Sequence, residues 1–100
     1  MKGNFIDIDK TLDHRIRLSI VSLLMVEDEV EFKEMKVALN LTDGNLASHI
    51  KALEKADYIK VKKTFIGKKP NTKYAISAIG KKAFKQHLIT LEKLINQHKK

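Results

Sequence analysis

The chain has one proline, Pro70, inside Gly67-Lys68-Lys69-Pro70-Asn71, and this turn signal organises everything around it. Before it, Tyr58 to Ile66 alternates, with Ile59, Val61 and Phe65 toward one face and Lys60, Lys62 and Thr64 toward the other. After it, Thr72 to Ile76 is a second short strand. The pair predicts one two-stranded hairpin with its turn over 67–71. Elsewhere the apolar residues recur at helical spacing, so the predicted class is mainly α with a small β-hairpin.

Residues 10–26 are predicted helical, with Leu12, Ile16, Ile20, Leu23 and Leu24 on one face. The acids Glu27, Asp28 and Glu29 end that pattern, and Val30-Glu31-Phe32 is a short extended piece. A second helix is expected from Lys33 to Leu39, with Met35, Ala38 and Leu39 inward. Asn40-Leu41-Thr42 is a tight connection, since Asn tolerates the left-handed conformation that closes a helix and Thr42 is a good N-cap. The third helix, Asp43 to Ala56, has a buried stripe of Leu46, Ile50 and Leu53. Its other side carries Gly44, Asn45, Ser48, Lys51, Ala52 and Lys55, short enough in the first two turns for a flat partner to approach closely. Ser77 caps a last helix, about 78–97, in which Phe84, Leu88, Leu91 and Ile95 form a narrow heptad seam.

One hundred residues without an internal linker or repeat suit a single domain spanning 1–100. The formal charge is +8, but its distribution says more: residues 1–50 hold six basic and nine acidic side chains, and residues 51–100 hold fourteen and three. A net −3 half joined to a net +11 half implies a cationic surface suited to a polyanion. Eighteen of the 20 cations are Lys, which a lysine-rich proteome would also produce. The absence of Cys excludes disulfides, thiolate metal sites and thiol redox chemistry. The longest apolar run, Leu18 to Val26, is interrupted by two serines and is far short of the roughly 20 residues of a membrane span. It lies behind Asp7, Asp9 and Asp13 with no cleavage pattern after it, so a soluble, cytoplasmic protein is expected. No glycine-rich phosphate loop or convergent acid pair is present, and no enzyme is expected. His87 and His98 share a helix face, but two imidazoles alone make a poor site, so no metal or cofactor is expected either. His14 is expected to pack or cap locally.

The order α1-β1-α2-α3-β2-β3-α4 is that of a winged helix-turn-helix. Asp13-His14-Arg15-Ile16-Arg17-Leu18-Ser19-Ile20 resembles the first-helix motif of small winged-helix transcriptional regulators related to the MarR and ArsR families. The segment Leu41-Thr42-Asp43-Gly44-Asn45-Leu46-Ala47-Ser48-His49-Ile50-Lys51-Ala52-Leu53-Glu54 is similar to their turn and recognition helix. Tyr74-Ala75-Ile76-Ser77-Ala78-Ile79-Gly80 resembles their strand-into-helix motif, where Gly80 permits close packing. The resemblance covers about residues 10–96 and implies a homodimeric, sequence-specific regulator of transcription that binds double-stranded DNA, a repressor occupying promoter DNA. Two positions depart from the pattern. Lys33 stands where a capping Asn or Ser is usual, which predicts a loosely started second helix, and Asp57 stands where Gly usually closes the third.

On this reading Thr42 and the helix N-terminus hold a phosphate, while Asn45, Ser48 and His49 reach base edges. Lys51 and Lys55 contact flanking phosphates, as do Lys62, Lys68, Lys69 and Lys73 of the hairpin, which lies on the backbone or in the minor groove. The plainer reading is a solvated amphipathic helix beside a solvated lysine hairpin. Phe84, Leu88, Leu91 and Ile95 serve either a partner helix or the domain's own core. Ile89 and Leu94 add apolar surface outside that seam, which favours a homodimer on a palindromic site, with Phe5, Ile6 and Ile8 joining the interface. Two alternatives stand beside DNA: docking of an acidic protein, and, less favoured, RNA, since the hairpin aromatics Phe65 and Tyr74 are expected to pack.

Overall fold

The computed structural model describes residues 8–98. Helix α1 spans Arg15–Val26, β1 Val30–Glu31, α2 Phe32–Leu39, α3 Asp43–Lys55, β2 Ile59–Ile66, β3 Lys69–Ile76 and α4 Ala78–Gln97. The expected order is the observed one. The sheet runs β1-β3-β2, all antiparallel, with Val30 opposite Tyr74 and Ile59 opposite Ile76. Beneath it Ile20, Val21 and Leu24 of α1, Met35 of α2 and Leu46, Ile50 and Leu53 of α3 form the buried core. Among the described residues no helix is long and apolar enough to cross a membrane.

Local chemistry sets the element ends, and three differ from expectation. Helix α1 begins at Arg15 rather than residue 10, because two side chains cap two separate turns. The Asp9 carboxylate accepts from the backbone N–H groups of Thr11 (2.8 Å) and Leu12 (3.1 Å), and His14 Nδ1 accepts from that of Ile16 at 3.2 Å. His14 is thus the local cap expected of it. Helix α2 is not loosely started: Lys33 is already its second residue, and the Glu34 carboxylate accepts from the Glu31 N–H at 2.8 Å. Its inward side chains are Met35, with Phe32 and Leu39 partly covered, while Ala38 is exposed.

The third difference is in the hairpin. Its turn is only Gly67-Lys68, with Gly67 at φ 65°, and β3 already includes Pro70 and Asn71. A two-residue loop needs a positive φ at its first position, which glycine supplies without strain. Pro70 is tolerated because it pairs with Phe65 one step from the Ile66–Lys69 pair, so its missing N–H faces away from β2, beyond the reach of the two-residue β1.

Two helices close on left-handed residues. Asn40 (φ 54°) ends α2, with Leu41 N–H donating to the Lys36 carbonyl at 3.0 Å. Asp57 (φ 62°) stands in for the usual glycine after α3, with Tyr58 N–H donating to the Leu53 carbonyl at 3.0 Å. Ser77 then locks this turn to α4. Its hydroxyl donates to the Asp57 carbonyl at 2.6 Å and accepts from the Gly80 N–H at 2.8 Å, capping α4. Gly80 fits directly against the Tyr58 carbonyl, the close packing that the family resemblance implies. Tyr58 is held at its other end, where its hydroxyl donates to Asp9 at 2.6 Å; burial and that carboxylate push the phenol up to about 12.

Candidate nucleic-acid interface

Helix α3 presents its short-chain side to solvent. Leu46, Ile50 and Leu53 are buried as the spacing predicted, and Gly44, Asn45, Ser48, Lys51 and Lys55 are all exposed, as is Ala47 between them. Thr42 caps the helix, its hydroxyl oxygen accepting from Asn45 N–H at 3.2 Å, so its O–H remains free to donate outward. Asp43 is the acid of the first turn, and nothing in the periodic pattern marks it. Its carboxylate is exposed at the N-terminus of α3, where it suits the helix dipole, and it pairs with the Lys36 ammonium at 2.8 Å.

His49 sits differently from Asn45 and Ser48. It is partly covered by α1, where its ring meets His14 at 4.3 Å and its Nδ1 accepts from Arg17 Nε at 3.2 Å. One of its two ring nitrogens is therefore committed within the domain, which leaves only Nε2–H for a base edge. Burial, reinforced by His14 and Arg17, holds His49 below the ordinary histidine range. With the folded value depressed, the unfolded chain takes up the proton first, so stability falls as pH drops through about 6.5 and the loss is complete below the depressed value. His49→Asn keeps an acceptor near Arg17 but does not titrate. Thermal melts across that range are expected to show a flatter acid side for the variant; parallel curves would assign the acid sensitivity elsewhere.

The hairpin lysines fall into two groups. Lys62 and Lys73 are cross-strand neighbours midway along it, and Glu29 of the α1–β1 loop pairs with both, at 2.7 and 3.9 Å. Lys62, by hydrogen bond and charge, holds the Glu29 carboxyl below its usual range, with Lys73 adding a weaker pull. Lys68 and Lys69 are exposed at the tip, and among the described residues neither pairs with an acid. Lys60 and Lys63 are also exposed on β2 and extend the cationic strip beyond the four lysines singled out from sequence.

An exposed, capped helix beside a basic hairpin is the arrangement shared by one group of DNA-binding proteins, and residues 16–95 match the family model for the winged helix DNA-binding domain. The chain belongs to that family. It is 35% identical over 85 residues to an uncharacterized protein of Methanocaldococcus jannaschii, covering 85% of this chain and 92% of that protein. It is similar to the solved structure of a transcriptional regulator homologue from Pyrococcus horikoshii OT3, with TM-score 0.80 and 32% identity over 87% of this chain and 86% of that one. The fold is also that of the transcriptional repressor BigR from Xylella fastidiosa, with TM-score 0.65 and 22% identity over 91% and 83% of the two chains.

In this winged helix, the β2–β3 hairpin is the wing, and α3 is the third helix of the fold. The wing's two aromatics part company. Tyr74 is buried against Phe32 as expected, but Phe65 is 73% exposed rather than packed. The heptad residues of α4 also divide. Phe84 (8% exposed) belongs to the domain's own core, and Leu91 is partly covered. Leu88 (45%) and Ile95 (59%) remain open, and so does Ile89. His87 is buried and separated in character from the exposed His98. Phe5 and Ile6 lie outside the described residues.

Proposed function

We propose that this chain is a sequence-specific, double-stranded DNA-binding regulator of transcription, a homodimeric repressor acting in the cytoplasm as one winged-helix domain. Helix α3 enters the major groove. Thr42 takes a phosphate, Asn45 and Ser48 read base edges with His49 adding one donor, and Lys51 and Lys55 flank them. The wing follows the backbone or minor groove through Lys68 and Lys69, and through Lys62 and Lys73 once they exchange Glu29 for phosphate. The observation that carries this reading is the exposed outer face of α3, free of bulky side chains over its first two turns beside a lysine-tipped hairpin. Open Leu88 and Ile95, with Leu91 between them, support α4 as the dimer element, Phe84 anchoring that helix from within. A two-fold pair of recognition helices would read a palindrome with half-sites about one helical turn apart.

Selection of bound duplexes from a random pool at fixed salt tests the whole reading. An enriched palindrome is expected; no enrichment would favour docking of an acidic protein instead. Sedimentation at micromolar concentration is expected to give a dimer, with or without DNA, and a monomer in both would remove α4 from that role. The wing is tested separately. Reversing charge at Lys68 and Lys69 together should shallow the dependence of log affinity on log salt by about two. An unchanged slope would place the tip lysines off the DNA.

A further inference from the structure

Phe65 and Ile66 stand at the wing tip with 73% and 62% of their surfaces open to solvent. They are not carried on a slack loop. The strand ladder continues to the end of the hairpin, pairing Phe65 with Pro70 and Ile66 with Lys69 across the Gly67-Lys68 turn. Phe65 and Pro70 therefore lie together on one face, and Ile66 lies on the other. Lys63, Lys68 and Lys69 are exposed around them. Gly67 has no side chain, so the leading edge is narrow. This is an apolar point set in a cationic collar and carried by paired strands away from the core.

We infer that the wing tip is an apolar wedge: Phe65, backed by Pro70, inserts at a base step in the minor groove while Lys63, Lys68 and Lys69 hold the phosphates on either side. The inference rests on the DNA-binding reading above and adds a residue and a deformation to it. The chemistry favours nucleic acid over other anionic partners. A duplex sets its bases between two rails of phosphate, and a step opened in the minor groove gives a phenyl ring held between lysines aromatic faces to stack on. Insertion unstacks the step and bends the duplex, so the wedge selects flexible pyrimidine–purine steps at a position that no hydrogen bond reads.

The test uses the full chain and the duplex enriched from the random pool, carrying 2-aminopurine at successive positions along its flanks and a donor–acceptor dye pair on its ends. The native protein is expected to raise 2-aminopurine fluorescence at one flanking step per half-site and to shorten the end-to-end distance. Phe65→Ala, at an open surface position, should keep the native melting temperature and lose both signals. It should bind about tenfold more weakly, with the salt slope unchanged because no phosphate contact is removed. Phe65→Leu, still an apolar wedge, should retain most of the affinity and the bend. Native affinity and bending in Phe65→Ala, while recognition-helix variants lose discrimination, would overturn the wedge alone. Failure of every duplex to bind would overturn the wedge together with the reading beneath it. Phe65-dependent binding to phosphatidylserine vesicles in place of the duplex would also overturn it.

Discussion

Replacing Asn45 and Ser48 together by alanine is expected to abolish most sequence preference while leaving the domain folded and still bound to DNA. Both side chains are exposed on the outer face of α3, one turn apart, and no side-chain hydrogen bond within the domain uses either among the described residues. Nothing in the core depends on them, and alanine is the better helix former, so the melting temperature should hold or rise slightly. A good base contact contributes about 1–3 kcal/mol of discrimination, so losing two should reduce the ratio of specific to scrambled-site affinity on the order of a hundredfold. Lysine contacts to phosphate remain, so scrambled-site affinity and its salt slope should not move. Competition by fluorescence anisotropy at one salt concentration measures both quantities. Native discrimination in the double variant would mean that base reading lies elsewhere.

Gly80→Ala should produce the largest loss of stability among the substitutions considered. Replacing a helical glycine by alanine ordinarily stabilises by about 1 kcal/mol. Here the added Cβ would lie 2.1 Å from the Tyr58 carbonyl oxygen and 2.9 Å from its carbon, both backbone atoms. That oxygen also accepts from Ser77 N–H at 3.0 Å, and Ser77 ties Asp57 to Gly80, so neither the α3–β2 turn nor the start of α4 can shift alone. Overpacking of this kind costs about 1–3 kcal/mol or more, and a backbone obstacle sets the upper end. After the helix-propensity gain, a net loss of about 2 kcal/mol should lower the melting temperature by about 10 °C in a domain of this size. Gly44→Ala is the control, since a Cβ there meets nothing within 4 Å; it should leave the melting temperature unchanged or raise it. Equal behaviour of the two variants in a thermal melt would refute the account of Gly80.

The two experiments probe features of different legibility. The exposure of the outer face of α3 follows from Leu46, Ile50 and Leu53, whose spacing alone fixes which side of that helix is buried. The caps at Thr42 and Ser77 and the left-handed closure at Asn40 were equally readable, because each acts on backbone within a few residues. The exposure of Phe65 had a signal that the alternation pattern obscured. Lys63 interrupts the apolar face after Ile59 and Val61, and it marks the point where the hairpin leaves the core. Everything beyond that point, Phe65 included, is in solvent.

From sequence alone came the mainly helical class, the element order, the buried face of each long helix and the cationic C-terminal half, since all depend on neighbours along the chain or on composition. The tertiary structure decided which of those side chains are free. Glu29 occupies Lys62 and Lys73, Arg17 occupies one nitrogen of His49, and Lys36 answers Asp43. Phe84 was withdrawn from the α4 seam into the core while Leu88 and Ile95 stayed open. The Lys62–Glu29 and Arg17–His49 contacts join residues more than thirty positions apart, and the withdrawal of Phe84 depends on how α4 packs. A periodic pattern cannot encode such outcomes, because it records which face a residue occupies and not what the folded chain places opposite it.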